Sequence, residues 1–388
     1  MKFDNQLRYA VNIINAFKGE MPLHNWLKNF FRENKQMGSK DRKQVSELVY
    51  CYYRLGKTLE EIKMEEKILV GLFLCKNNNN ELLNYFKPEW NENINKPIEE
   101  KLLIINYPLL IKNIFPWKEQ LSGEIDQQKF AASFLIQPDL FLRIRPGNEA
   151  IVKQKLNDAL INFNPINISC IALNNATKID AVININKEVV VQDYSSQQIQ
   201  NFLPTENSKS LTIKAWDCCA ASGGKSIMLY DVNPKIDLTV SDIRESILIN
   251  LKKRFSEAGI KKYKSFVEDL STINRQLSTE KYDLIIADVP CSGSGTWSRT
   301  PEALSFFNEK EIDRYSELQK KILSNIIPRL NKNGSLIYIT CSVFKKENEN
   351  IIDFILQNFS LQLEKMELLK GYEIKADSMF AAKFINKE

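Results

Sequence analysis

The chain has 388 residues, 44% of them hydrophobic and 26% charged, which is the composition of a folded protein of two or three domains and excludes a disordered or fibrous chain. Seven scattered cysteines, an odd number, and a single histidine argue against a disulfide framework, a structural zinc site and most histidine-dependent catalysis, so no metal is expected and acid–base work falls to carboxylates, thiols or lysines. The net charge is only +5, and no apolar run approaches the roughly 18 residues of a membrane span.

Asp4 and Arg8 interrupt the N-terminal apolar pattern before a secretory signal can form, so a cytoplasmic protein with no membrane partner is expected. Residues 1–128 carry apolar positions three and four apart, as in Val45, Leu48, Val49, Tyr52 and Tyr53 after the start signal Gly38-Ser-Lys-Asp41. This predicts a helical domain. Within it, residues 28–57 hold eight basic residues (Lys28, Arg32, Lys35, Lys40, Arg42, Lys43, Arg54, Lys57) against three acids, which is either a phosphate-contacting face or a solvated helix surface. His24 lies in the same region and reads as structural.

From residue 129 the texture changes to short strands, Leu140–Ile144, Ile168–Leu173 and Val189–Gln192, around one helix near 148–162. A small α+β subdomain over 129–200 fits. Arg143 and Arg145 alternate along its first strand and so share a face, which suits RNA or is simply an exposed polar edge. Residues 201–388 then alternate strands and helices: Thr212–Asp217, a helix from Gly224, Asp237–Ser241, a helix from Glu245, Lys264–Val267, Tyr282–Ala287, a long helix from about Glu309 to Leu330, and Ser335–Thr340. That alternation predicts a mainly parallel, doubly wound α/β sheet.

The motifs gather at the strand ends, where such sheets bind ligands. The first strand runs into Asp217-Cys-Cys-Ala-Ala-Ser-Gly-Gly-Lys-Ser226, whose small residues admit a ligand to the mouth of the next helix. It lacks both the dinucleotide G-x-G-x-x-G and the P-loop spacing, which disfavours a nicotinamide oxidoreductase and a nucleoside triphosphate. Asp242 ends the second strand, where a carboxylate can take ribose hydroxyls, and Glu268-Asp269 after the third can accept from an adenine amino group. This order suits an adenosyl ligand. Cys291, in Asp288-Val-Pro-Cys291, and Cys341, in Thr340-Cys-Ser342, each follow a predicted buried strand. A thiolate can add to an electron-poor ring carbon while a neighbouring Asp shares a proton with a ring nitrogen, which points to a pyrimidine. The bland alternative for both thiols is burial as small hydrophobes.

These residues resemble the Sun family of S-adenosylmethionine-dependent RNA cytosine-5 methyltransferases, particularly its bacterial small-subunit ribosomal RNA branch with a NusB-like N-terminal domain. Val191-Gln-Asp-Tyr-Ser-Ser-Gln197, Cys219-Ala-Ala-Ser-Gly-Gly-Lys225, the two cysteine motifs fifty residues apart, and Asp377-Ser-Met-Phe-Ala-Ala-Lys-Phe384 look like the family's motifs in order. Ser222 stands where the family has proline, and Ser378-Met379 where it has Gly-Phe.

The resemblance implies an all-helical NusB-like RNA-binding domain (1–128), a small α+β, RRM-like subdomain (129–200) and a Rossmann-like class I methyltransferase sheet (201–388). It implies S-adenosylmethionine held by Cys219, Ala220, Ala221, Ser222, Gly223, Gly224, Lys225, Asp242, Asp269 and Asp288. Cys341 would attack carbon 6 of an unpaired cytosine, Asp288 would hold N3, and Cys291 would assist release. The opposite assignment of the two thiols stays open. RNA, ribosomal or transfer, would be the partner of a monomer and would meet Lys40, Arg42, Lys43, Arg143 and Arg145. A non-catalytic ribosome-assembly factor is the rival from another class.

Overall fold

The computed structural model describes residues 2–204, 212–272 and 280–388. The chain divides into two compact units. The first comprises Met1–Leu121, Ile125–Gln137 and Thr296–Glu309, the second Ser122–Glu124, Pro138–Gly295 and Lys310–Glu388.

The first unit is helical. The helix Ser39–Arg54 buries Val45, Leu48, Val49 and Tyr53 at helical spacing, and Met64–Cys75 is apolar on nearly every side and buried along most of its length. Gly71 lets that helix approach its neighbour closely, because a Cβ there would stand 2.3 Å from the Cys51 carbonyl oxygen. This unit reaches past the expected limit at 128, and it also takes in Thr296–Glu309, a segment that in sequence follows the Cys291 motif. Glu302 accepts from the Leu23 N–H at the start of the helix Leu23–Glu33, and Phe306 packs edge-on to Phe17 with ring centres 5.4 Å apart.

The basic segment of this unit divides by burial. Arg54 does not belong to a phosphate-contacting face: it is buried and donates to the carbonyls of Phe134, Ile136 and Ser298. Arg42 is half-buried and donates to the Met37 carbonyl. Lys28, Arg32, Lys35, Lys40, Lys43 and Lys57 are exposed.

The second unit carries two sheets. The smaller orders β2 (Asn164–Pro165), β3 (Cys170–Leu173), β1 (Leu140–Ile144) and β4 (Val189–Val191) antiparallel. Leu142 and Ile144 face Val152 and Leu156 of the helix Glu149–Asp158. The opposite face of β1 corrects an expectation. Arg143 and Arg145 do share it, but they are not offered to RNA: Arg143 is only 3% exposed and donates to Asp231 at 2.7 Å, while Arg145 makes a two-pronged contact with the same carboxylate at 2.7 and 2.9 Å. Arg145 further donates to the Asn186 and Ala258 carbonyls. A buried acid opposite the strand draws both cations inward.

The larger sheet contains β5 (Lys214–Asp217), β6 (Asp237–Asp242), β7 (Lys264–Val267), β8 (Tyr282–Asp288), β9 (Leu330–Thr340), β10 (Leu361–Leu369) and β11 (Met379–Asn386), in the order β10-β11-β9-β8-β5-β6-β7. The pairings β6–β7, β5–β6, β5–β8 and β8–β9 are parallel, while β11 runs antiparallel to β9 and β10. The long helix Lys310–Ile326 stops earlier than its apolar pattern predicts, because Pro328 cannot continue it; β9 then begins at Leu330 instead of 335. From β5 the chain goes outward to β6 and β7 and returns to the other side of β5 as β8. The order reverses there, and the crevice at such a reversal is where an open α/β sheet takes its ligand.

Candidate active site

The β5 loop is fixed before it meets any ligand. Ser241 accepts from the Trp216 indole N–H and donates to the Cys218 carbonyl, and the Ala220 N–H reaches the Ser241 carbonyl at 2.9 Å. Gly223 is required for two reasons: its φ is +81°, and a Cβ there would stand 2.6 Å from the Phe255 ring. Arg254 donates to both the carbonyl and the hydroxyl of Ser222, at 2.9 and 2.6 Å, so the serine at the family's proline position is tied down by a guanidinium.

Asp242, at the end of β6, accepts from the Ala221 N–H and from Arg244. Burial works to raise its pKa, but these donors outweigh it and hold the carboxyl below its ordinary range. Asp269 accepts from the Ser271 N–H and hydroxyl. Asp217 is the exception in this group: burial pushes its pKa up to about 7 against the Ser226 hydroxyl, and Oδ1 has no partner among the described residues.

A crevice of ≈ 440 Å³ opens over these strand ends, within the size range of small-ligand sites. Of the residues expected to hold a cofactor, Cys219, Ala221, Asp242, Asp269 and Asp288 line it, whereas Ala220, Ser222, Gly223, Gly224 and Lys225 shape the loop without lining it. Ile243, Pro290, Leu318 and Ile322 supply apolar walls. Carboxylates at a rim and apolar walls fit a nucleoside with a flat base and a ribose.

At the far side of the reversal, Asp288 ends β8 and forms an ion pair with Lys225 at 2.6 Å. Burial opposes the Lys225 charge, but Asp288 first and Cys341 second hold its pKa above the ordinary lysine range. Cys341 follows β9 directly, and its N–H donates to the Cys291 sulfur at 3.3 Å. Both cysteines are half-buried. The neighbouring Cys341 sulfur and then burial drive the Cys291 pKa well above its usual value. Neither sulfur lines this crevice; Asp288 does, and its partner Lys225 interacts with the Cys341 sulfur. Cys218 is buried and packed, in keeping with its position beside the loop.

Residues 202–386 match the sequence model of a family described as 16S rRNA methyltransferase RsmB/F. Proteins named ribosomal RNA small subunit methyltransferase B from Salmonella agona and from an Enterobacter species are 34% identical over 173 residues and 32% identical over 176 residues. Each match covers 44% of this chain, and 38% and 39% of the relative, so this chain spans well under half the length of these relatives. Among solved structures, PH0851 aligns with a TM-score of 0.72 at 17% identity over 100% of this chain and 99% of its own. NSun6 from Pyrococcus horikoshii with SFG aligns with a TM-score of 0.58 at 14% identity over 70% and 96%. At these identities the solved structures establish the fold.

Sequence reasoning missed the apolar walls and the support beneath the thiols. Ile243 carried a signal, since an isoleucine directly after a strand-end acid and 57% exposed has no packing reason to be apolar. Glu347 carried none, being one acid among several in Lys345-Lys-Glu-Asn-Glu349, yet it is fully buried under both cysteine loops.

Proposed function

We propose that this protein is an S-adenosylmethionine-dependent RNA (cytosine-5)-methyltransferase that acts on an unpaired cytosine, with small-subunit ribosomal RNA as the substrate. The observation that carries the reading is the pairing of two thiols at the ends of β8 and β9, beside an Asp–Lys ion pair at the reversal of the sheet. The names of the relatives point to ribosomal RNA, and the SFG-bound neighbour, SFG being an S-adenosylmethionine analogue, points to the cofactor.

Asp242 and Asp269 hold the ribose hydroxyls and the adenine amino group, and Ile243 and Ile322 cover the base. S-adenosylmethionine supplies the methyl group as an electrophile on its sulfonium. Carbon 5 of cytosine is a poor nucleophile. The Cys341 sulfur adds to carbon 6, and Asp288 holds the proton at N3, so the ring gains the electron density that lets carbon 5 take the methyl group. Lys225 keeps Asp288 oriented. A base then removes the carbon 5 proton and the bond between carbon 6 and the Cys341 sulfur breaks, which restores the ring; Cys291 assists this release of the enzyme. Carbon 6 is hidden within a stacked duplex, so the target base must be unpaired or turned out. Lys40, Arg42 and Lys43 supply cations for the phosphates; Arg143 and Arg145 take no part.

The test is transfer of labelled methyl groups from S-adenosylmethionine to total RNA from cells lacking the gene, followed by bisulfite sequencing. A single protected cytosine in small-subunit ribosomal RNA is expected. Protection in transfer RNA would move the same chemistry to another substrate. Saturable RNA binding without any transfer would instead favour the non-catalytic assembly factor.

A further inference from the structure

Beneath the two thiols lies a polar cluster that the proposed chemistry does not use. Glu347 has no exposed surface. Its Oε2 accepts from the Ser292 N–H at 2.8 Å and from the Gln319 side-chain amide at 3.1 Å, and its Oε1 accepts from the Ser342 hydroxyl at 2.8 Å. Ser292 is the residue after Cys291, and Ser342 is the residue after Cys341. One carboxylate thus ties together the two cysteine loops, which are fifty residues apart in sequence. The cluster extends through Gln319, which also donates to the Pro290 carbonyl, and Tyr338, which donates to the Glu347 carbonyl at 2.6 Å. The loops leave no slack elsewhere. The Gly295 N–H meets the Cys341 carbonyl at 2.8 Å, and a Cβ on Gly295 would lie 2.0 Å from the Ser378 carbonyl oxygen.

We propose that Glu347 is a positioning residue, a buried acceptor that clamps the Cys291 and Cys341 loops together and sets its charge beside the Cys291 loop. An isolated buried carboxylate is costly, and the partners of this one are neutral donors. Its hydrogen bonds to the two loops are what it gains, so its burial follows from holding them. Burial raises the Glu347 pKa, while the donors from Ser292, Ser342 and Gln319 pull it back.

The groups that face the thiols divide cleanly. Cys291 feels Cys341, Glu347 and the backbone at Gly293; Tyr338, itself raised by burial, feels Glu347 and Cys291. Cys341 faces Lys225, whose cation Asp288 neutralises in part. Negative charge from Glu347 falls on the Cys291 side and positive charge from Lys225 on the Cys341 side. The Glu347 charge adds to the burial that holds the proton on the Cys291 thiol.

The inference rests on the methyltransferase reading for its purpose, but its test does not. Full-length protein is treated with iodoacetamide over a pH series without RNA or cofactor, and each cysteine's alkylation is followed by mass spectrometry. In the wild type, Cys291 is alkylated only above the pH range of a free cysteine. Glu347→Gln keeps the shape and removes the charge. It should raise Cys291 alkylation at neutral pH by about tenfold, the equivalent of roughly one pKa unit. Where Glu347→Gln yields no folded protein, Ser342→Ala, which removes one tie, should raise Cys291 alkylation by less. An unchanged Cys291 pH profile in either folded variant overturns the proposal. Altered alkylation in a protein that never methylates RNA would keep the clamp and refute the methyltransferase reading.

Discussion

Two clusters in the second unit set basic side chains on a single aspartate, and they do opposite jobs. Asp231 receives Arg143 and Arg145, is 5% exposed in its side chain, and has both oxygens occupied by guanidinium nitrogens. Asp288 pairs with one lysine, Lys225, and keeps 23% side-chain exposure at the rim of the crevice. The first is closed and holds the small sheet against the helix Gly224–Val232. The second is open, with a carboxylate that still has capacity for a ligand proton. A cation near an acid therefore says little until it is known how many of the acid's lone pairs are already taken.

The largest effect that would break this contrast lies beside the open cluster. Cys341→Ala should abolish methyl transfer to RNA, and Cys291→Ala should let a covalent RNA adduct accumulate on denaturing gels; an adduct in Cys341→Ala would exchange the two roles. Asp288→Asn should lower the methyl-transfer rate by about 10²–10⁴-fold with RNA affinity unchanged, as single-turnover kinetics and filter binding would show. The closed cluster should answer in stability. Asp231→Ala strands two buried guanidiniums and should cost about 3–5 kcal/mol, read from urea unfolding midpoints, while the fraction that remains folded transfers methyl groups at the normal rate. A drop in rate in that folded fraction would mean that Arg143 and Arg145 reach the substrate after all.

Asp217 sharpens the contrast through pH. Its folded pKa of about 7 lies above that of an ordinary aspartate, so the native state binds this proton more tightly than the unfolded chain does. The stability that this group contributes is present in full below about pH 4 and is lost as pH rises towards 7, at about 1.4 kcal/mol for each unit of displacement. Asp217→Asn should therefore be more stable than the wild type at pH 8, with the gap narrowing as pH falls and closing by about pH 4 in urea unfolding. A gap that does not change with pH would show that the buried acid is ionised throughout. The smallest effect belongs to the exposed cations of the helical unit. Replacing Lys40 and Lys43 by Ala should flatten the dependence of log RNA affinity on log salt by about one unit for each phosphate that these two lysines neutralise.

Much of the site is legible in the sequence, because strand ends have a local signature. Asp217, Asp242, Asp288, Cys291 and Cys341 each follow a run of buried β-branched or aromatic residues, and a parallel sheet brings such ends to one edge. The closing strands are harder to read. β10 is broken by a bulge between Leu363 and Lys365 and carries Glu364, Lys365 and Glu367 in its middle, so its sequence lacks a continuous alternation of apolar and polar residues. The arginines of β1 mislead for a related reason: alternation fixes that two side chains share a face, but not what that face meets.

Residue order alone determined the βα alternation, the glycine-bearing loop after β5, and the placement of two thiols and three acids at strand ends, since these depend on contacts and turn preferences within a few residues. Tertiary structure decided which charges remain available. Arg54, Arg143 and Arg145 were drawn inward by carbonyls or an acid as far as 244 residues away in sequence, and Glu347 was drawn beneath both cysteine loops. Whether a charged group is used up or left open depends on long-range partners and burial, and neither is encoded in its neighbours along the chain.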